Sequence, residues 1–203
     1  MVAAKTAADN GAKVVIVEKC EEGKAGGNTK VCGQLFAYAN GDKDAAKSYY
    51  TALAGGRDIE PEIIDAISEG VANMADILAD EFGFNKDEYM DWTGVNVSGT
   101  NMGAMSPEYP EMPGHEKMAL WTTHAGASDG YLYQGLKQNV TDRVDAIDVW
   151  YSSPAKSLIQ DPVTKTVVGV TVERDGKEMN IRALNGVCIC TGGFECNKEM
   201  VQH

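Results

Sequence analysis

Hydrophobic positions at the start of the chain follow first a helical and then a strand pattern. Ala3, Ala4, Ala7 and Ala8 recur at helical spacing, and Gly11 falls where a left-handed C-terminal cap belongs. Such a face of small residues lets a helix lie close on a sheet, although no Ser, Thr, Asp or Asn precedes this one to cap it. Val14-Val15-Ile16-Val17 is an unbroken apolar run closed by Glu18. That is the pattern of a short strand buried on both faces, as in a parallel sheet covered by helices. Residues 44–53 read as a short polar helix and residues 61–82 as a longer one, with Ile63, Ile64, Ile67, Val71, Met74, Leu78 and Phe82 as its core stripe. Pro61 suits its first position and Gly83 its end. From 94 to 128 periodicity is lost, which marks long loops of the functional or disordered kind.

A helix over 130–140 and a parallel strand over 146–151 follow. Three strands over 155–160, 167–174 and 177–182 then form a meander, turned at Asp161-Pro162 and at the two-residue hairpin signal Asp175-Gly176. A last strand over 186–190 runs into Thr191-Gly192-Gly193-Phe194. Two glycines directly after a buried strand permit a tight turn and close approach by a ligand. The fold class is therefore α/β, a parallel sheet with flanking helices and an attached antiparallel β-meander.

Length allows one sizeable domain, since the chain has 203 residues. A formal net charge of -12 and a pI near 4.6 disfavour nucleic acid or an anionic membrane surface as partner, both being polyanions. No run approaches the ~18 apolar residues of a membrane span, and the start lacks a signal-peptide pattern, so the chain reads as soluble and cytoplasmic. Its five cysteines include no C-x-x-C pair, which argues against zinc or an iron-sulfur cluster and leaves no metal ligands to name. Cys188 and Cys190, two apart in an apolar run, read as buried, inert thiols on one strand face.

The chemistry starts at Glu18. An acid at the tip of the second strand of a βαβ unit accepts hydrogen bonds from a ribose, with a glycine-rich turn about 20 residues ahead of it. Here that turn would fall at or before residue 1, so the first strand and the phosphate-binding turn are expected to be missing. For the acid alone, a solvated strand end is the alternative. Gly26-Gly27 can form a nest of backbone N–H groups for an anion, Thr29 can add a hydroxyl donor, and Lys24 and Lys30 add positive charge. Taken alone, this is equally a surface turn. His115 and His124 lie in the aperiodic stretch without a motif, and each reads as a surface or structural residue.

Residues 2–19, then Gly26-Gly27-Asn28-Thr29, and much later Cys190-Thr191-Gly192-Gly193-Phe194 resemble the flavoprotein family of bacterial fumarate reductases, ketosteroid dehydrogenases and related FAD-dependent enzymes. The resemblance spans nearly all of the chain. It implies that residues 1–203 are an incomplete Rossmann-like FAD-binding domain, without the first strand and glycine turn and without the capping domain and C-terminal flavin-binding part that follow in the family. The implied activity is hydride transfer between FAD and an activated carbon–carbon bond of a small organic substrate, with the chain alone inactive. The implied FAD contacts are Glu18 and Lys19 at the strand end, and Gly26, Gly27, Asn28 and Thr29 along the pyrophosphate and ribityl chain. Gly33 and Gln34 would lie near the isoalloxazine ring, the Ala155 backbone at the adenine, and Thr191, Gly192 and Gly193 beside the cofactor. The family often has two glycines where this chain has Cys32-Gly33. Catalytic residues come mainly from the capping domain and beyond, so none is assigned. Self-association is expected of a sheet that lacks its first strand. The competing readings are a non-catalytic fragment or nucleotide-binding remnant, and a nicotinamide-dependent Rossmann enzyme; Gly26-Gly27-Asn28-Thr29 and the meander favour flavin over the latter.

Overall fold

A computed structural model describes residues 1–93, 107–126, 129–194 and 197–202. In chain order the elements are α1 (Val2–Asp9), β1 (Val14–Val17), α2 (Gly27–Val31), β2 (Leu35–Tyr38), α3 (Lys43–Leu53), α4 (Pro61–Ala72), α5 (Met74–Phe82), β3 (Met90–Asp91), β4 (Ala119–Thr122), α6 (Tyr131–Thr141), β5 (Ile147–Trp150), β6 (Ala155–Gln160), β7 (Val167–Arg174), β8 (Lys177–Arg182) and α7 (Lys198–Val201). They divide into two compact units, residues 1–28 with 136–203, and residues 29–135.

In the first unit β1 and β5 pair in parallel, Val14 opposite Ile147 through Val17 opposite Trp150. Alternate small residues of α1 turn inward. Ala4 is buried with Val140 and Ile147, and Met1, Ala8, Val14, Ile16 and Val149 pack around them. Gly11 closes the helix with φ +85. Lys5 and Arg143 both reach Asp9, at 3.0 and 2.5 Å, tying α1 to the chain after α6. β1 is half-buried at all four positions, where burial on both faces was expected. Its only described strand partner is β5, so no described strand covers its other edge.

The meander forms as read: β6, β7 and β8 pair antiparallel with β7 central. Asp175 and Gly176 both take positive φ, +53 and +71, as a two-residue hairpin with matching twist requires. At Gly169 a Cβ would lie 2.2 Å from the Ile181 backbone oxygen, so the close β7–β8 approach there depends on glycine. The expected strand over 186–190 is absent from the described structure, and Cys188 and Cys190 are exposed. A strand persists only where a neighbour takes its backbone hydrogen bonds, and no described strand pairs with this segment.

The second unit holds an antiparallel sheet in the order β2-β4-β3, which the pattern of the sequence did not indicate. Its core joins Ala39, Ala46, Tyr49, Val71 and Met118. Asp42 caps α3 by accepting the Ala45 N–H at 2.9 Å, and Lys43–Glu69 and Lys47–Asp65 ion pairs at 2.7 and 2.6 Å link α3 to α4. The single helix read over 61–82 breaks at Asn73, whose side chain bonds back to Glu69. The buried face is Ile64, Ser68, Val71 and Ala72, continued by Ala75, Leu78 and Phe82. Ile63 and Ile67 are 46% and 42% exposed, contrary to the stripe. Ser68 takes the inward place because its hydroxyl donates to the Ile64 carbonyl at 2.7 Å, which removes the cost of burying it.

Candidate functional site

The β1–β5 ladder runs on beyond both strand ends. Glu18 N–H donates to the Trp150 carbonyl at 2.9 Å, Ser153 N–H to the Glu18 carbonyl at 2.8 Å, and Ser152 N–H to the Cys20 carbonyl at 2.9 Å. This stitches residues 18–20 to 152–153 at the carboxyl ends of the parallel pair, where ligands bind in open α/β sheets. Glu18 is half-buried, and its Oε1 accepts the Cys20 N–H at 2.8 Å. A carboxylate has about four acceptor positions; one backbone bond orients the group and leaves capacity for more. Lys19 beside it is exposed.

Ser152, at φ +50, turns the chain, and Ser153 is fully buried with its hydroxyl on the Tyr151 carbonyl at 2.9 Å. Ala155 follows at the start of β6, an edge strand, so part of its backbone faces away from β7. Nothing in the sequence singles out Ser152, because a left-handed serine has no signature of its own. Gly26 and Gly27 take φ of +128 and +53, and a Cβ on Gly27 would meet nothing within 4 Å. Glycine is required there by conformation, with open space beside it. Since α2 begins at Gly27, Asn28 and Thr29 lie in its first turn. Thr191, Gly192 and Gly193 are exposed in irregular chain, Gly192 at φ +77.

Within the second unit, Gly33 is half-buried and Gln34 fully buried at φ +60, an uncommon conformation for a non-glycine residue. The Gln34 amide N–H₂ donates to the Thr29 and Cys32 carbonyls at 2.9 and 3.0 Å. Turned over, the amide would set its oxygen against two carbonyl oxygens, so its orientation is fixed. Its Oε1 is buried and has no partner among the described residues, and the same holds for Trp121 Nε1, Thr123 Oγ1 and His124 Nδ1.

His124 belongs to a built loop. Asp129 accepts the Tyr131 N–H at 3.0 Å with one oxygen and lies 2.7 Å from His124 Nε2 with the other. The imidazole stacks on the Tyr131 ring at 4.1 Å and 13°. The Tyr131 N–H, and after it the His124 ring, hold the Asp129 carboxyl below its ordinary range. A Cβ on Gly126 would sit 2.5 Å from Asp129 Oδ2, so this closure needs glycine. Asp129-Gly130 ahead of a helix was the available signal for this loop, a capping acid at the start of α6.

In the first unit the chemistry suits a dinucleotide such as FAD: Glu18 is an oriented acceptor of the kind ribose hydroxyls need, and the left-handed Gly26-Gly27 turn can present backbone amides to phosphate. In the second unit Gln34 keeps an unsatisfied buried acceptor.

Comparison with known proteins identifies the family and its cofactor. The family described as FAD binding domain matches residues 1–203. A 3-oxosteroid 1-dehydrogenase of Comamonas testosteroni is 46% identical over 54 residues, 27% of this chain and 9% of the relative. An NADH:fumarate oxidoreductase of Klebsiella pneumoniae (strain 342) is 27% identical over 211 residues, 99% of this chain and 20% of the relative. The matches thus cover a fifth or less of the length of these curated relatives. In fold it is similar to 3-ketosteroid delta1-dehydrogenase from Sterolibacterium denitrificans, solved with 1,4-androstadiene-3,17-dione, at TM-score 0.76, 18% identity, and 99% and 47% coverage of the two chains. It is also similar to 3-ketosteroid-delta4-(5alpha)-dehydrogenase from Rhodococcus jostii RHA1, solved with 4-androstene-3,17-dione, at TM-score 0.70, 22% identity, and 98% and 45% coverage. With a family match over its whole length, the chain belongs to the FAD binding domain family, and its cofactor is FAD.

Proposed function

We propose that this chain is the FAD-binding portion of an oxidoreductase that moves hydride between flavin and an activated carbon–carbon bond of a small organic substrate. When bound, FAD supplies a ring that accepts or releases hydride. Binding and orientation fall to the chain's own residues. Glu18, oriented by the Cys20 N–H, accepts from the adenosine ribose; Lys19 lies beside it, and the Ala155 backbone faces the adenine. Gly26, Gly27, Asn28 and Thr29 hold the pyrophosphate and ribityl chain. Gly33 and Gln34 approach the ring, and Thr191, Gly192 and Gly193 close on the cofactor. No side chain of this chain is assigned a catalytic role. A cytoplasmic setting belongs to the same reading, supported by the unbridged Cys20, Cys32, Cys188 and Cys190. No described helix is long and apolar enough to cross a membrane.

The observation that carries the reading is the oriented Glu18 carboxylate at the carboxyl end of a parallel strand pair. Replacing Glu18 by Ala leaves the ribose hydroxyls without a charged acceptor and should weaken FAD binding by about 1.5 to 3 kcal/mol, roughly a 10- to 150-fold rise in Kd. Glu21→Ala and Glu22→Ala remove exposed partners of Lys24 and Lys137 and should change Kd less than about threefold. Titration with FAD, followed by flavin fluorescence, separates the cases. Equal small effects at all three positions would reduce Glu18 to a strand end.

A further inference from the structure

Asparagine precedes glycine three times in this chain, at Asn10-Gly11, Asn40-Gly41 and Asn185-Gly186. Glycine has no Cβ to crowd its backbone nitrogen, so that nitrogen can attack the carboxamide carbon of the asparagine before it and close a succinimide ring. All three asparagines are exposed, and a Cβ on any of the three glycines would meet nothing within 4 Å. Neither exposure nor open space separates the three pairs.

Hydrogen bonding does. The Asn10 side-chain amide donates to the Thr6 carbonyl at 2.8 Å, and the Gly11 N–H donates to the Ala8 carbonyl at 2.9 Å. The Asn40 side-chain amide donates to the Lys117 carbonyl at 3.0 Å, and the Gly41 N–H to the Ala72 carbonyl at 3.1 Å. In both pairs the group under attack and the attacking nitrogen are held apart by bonds of their own. Asn185 and Gly186 follow β8 in irregular chain, and neither makes a hydrogen bond among the described residues. The Ala183 N–H still donates to the Val168 carbonyl at 2.9 Å; beyond it, no described backbone bond holds residues 184–193.

We propose that Asn185 is a site of spontaneous deamidation, converting without an enzyme to aspartate and isoaspartate. The Gly186 nitrogen forms a bond to Asn185 Cγ, the Cγ–Nδ2 bond breaks, and ammonia leaves with the proton given up by the Gly186 amide. Water then opens the succinimide at either carbonyl. One opening gives aspartate; the other gives isoaspartate, whose main chain runs through Cγ and is longer by a methylene. Either product sets a new negative charge between β8 and Thr191-Gly192-Gly193. At Asn10 and Asn40 the same reaction must first break two hydrogen bonds, which slows it by roughly tenfold or more. This inference is independent of the FAD reading.

The test ages the purified protein in mildly alkaline buffer and digests samples with trypsin, which puts the three pairs on separate peptides, 6–13, 31–43 and 183–198. Mass spectrometry should find the mass gain of deamidation first on 183–198, with fragmentation locating it at Asn185 and not at Asn197. The rate there should exceed that at Asn10 and Asn40 by the factor above, and in urea the three rates should converge. Asn185→Gln should remove the early gain, since a longer side chain closes its ring far more slowly. Equal rates at the three positions in the folded protein would overturn the assignment, as would an Asn185 that stays intact while the urea-unfolded chain is modified there. A difference that persists unchanged in urea would also overturn it, because the selection would then owe nothing to the fold.

Discussion

Gly169 and Asp9 show how single residues of this chain carry stability in two different ways. Gly169 lies on β7 against β8, and an added methyl would meet the Ile181 backbone oxygen at 2.2 Å. Backbone cannot swing away as a side-chain tip can, so Gly169→Ala should cost about 1 to 3 kcal/mol, the range for forced overpacking. Thermal unfolding should show the loss as a lower Tm, and an unchanged Tm would mean that the strands separate there at no cost. Asp9 acts through charge. The Arg143 guanidinium, and after it the Lys5 ammonium, hold its carboxyl at about 2, below the ordinary 3.8. A carboxyl depressed on folding adds stability that is complete above 3.8 and is lost as pH falls toward about 2. Arg143→Gln should therefore lower Tm above pH 4 and make Tm less sensitive to acid between about pH 4 and 2. Equal sensitivity in the two proteins would show that the pair does not couple to folding.

Among the elements, agreement between sequence and structure follows how local the determining interactions are. The β6–β7–β8 meander was legible in full because its turns declare themselves: Asp175-Gly176 takes the two positive φ values that only such residues accept readily. Helix α3, Pro61 at the start of α4 and Gly83 at the end of α5 were read from the same kind of local rule. The break at Asn73 was not, because each side of it is helical and the side-chain bonds to Glu69 that mark it are invisible in a hydrophobic pattern. β2, β3 and β4 escaped notice for a related reason. They are four, two and four residues long, too short to establish a period, and they exist through one another's backbone bonds. The expected loop over 94–128 shares this history: β4 lies inside it, while residues 94–106, 127 and 128 lie outside the described part of the chain.

For the molecule as a whole, the edge of β1 that no described strand covers has the largest consequence. An open strand edge presents unpaired backbone groups to other chains, and β1 is apolar along its length. We therefore expect self-association that grows with protein concentration in sedimentation velocity, and weaker association when Val15 or Val17 is replaced by Lys. A single monomeric species throughout the accessible concentration range would contradict this. The exposed Cys188, Cys190 and Ile189 have the same cause as the missing last strand, namely that a run able to form a strand stays irregular without a pairing partner.

The sequence by itself determined the α/β class, α1 and its left-handed stop at Gly11, the Val14–Val17 strand with Glu18 at its end, the parallel strand β5, the meander and the FAD family, since each rests on local conformation or on a motif within a few neighbouring residues. Only the tertiary structure decided which faces are buried, as with Ser68 inward and Ile67 outward. It also decided that Ser152 and Ser153 are stitched to Glu18 and Cys20, and that the Gln34 amide oxygen is buried without a partner among the described residues. The physical reason is the same in each case. Burial and hydrogen-bond satisfaction belong to pairs of groups far apart in the chain, and nothing in one segment's own pattern records what its partner offers or withholds.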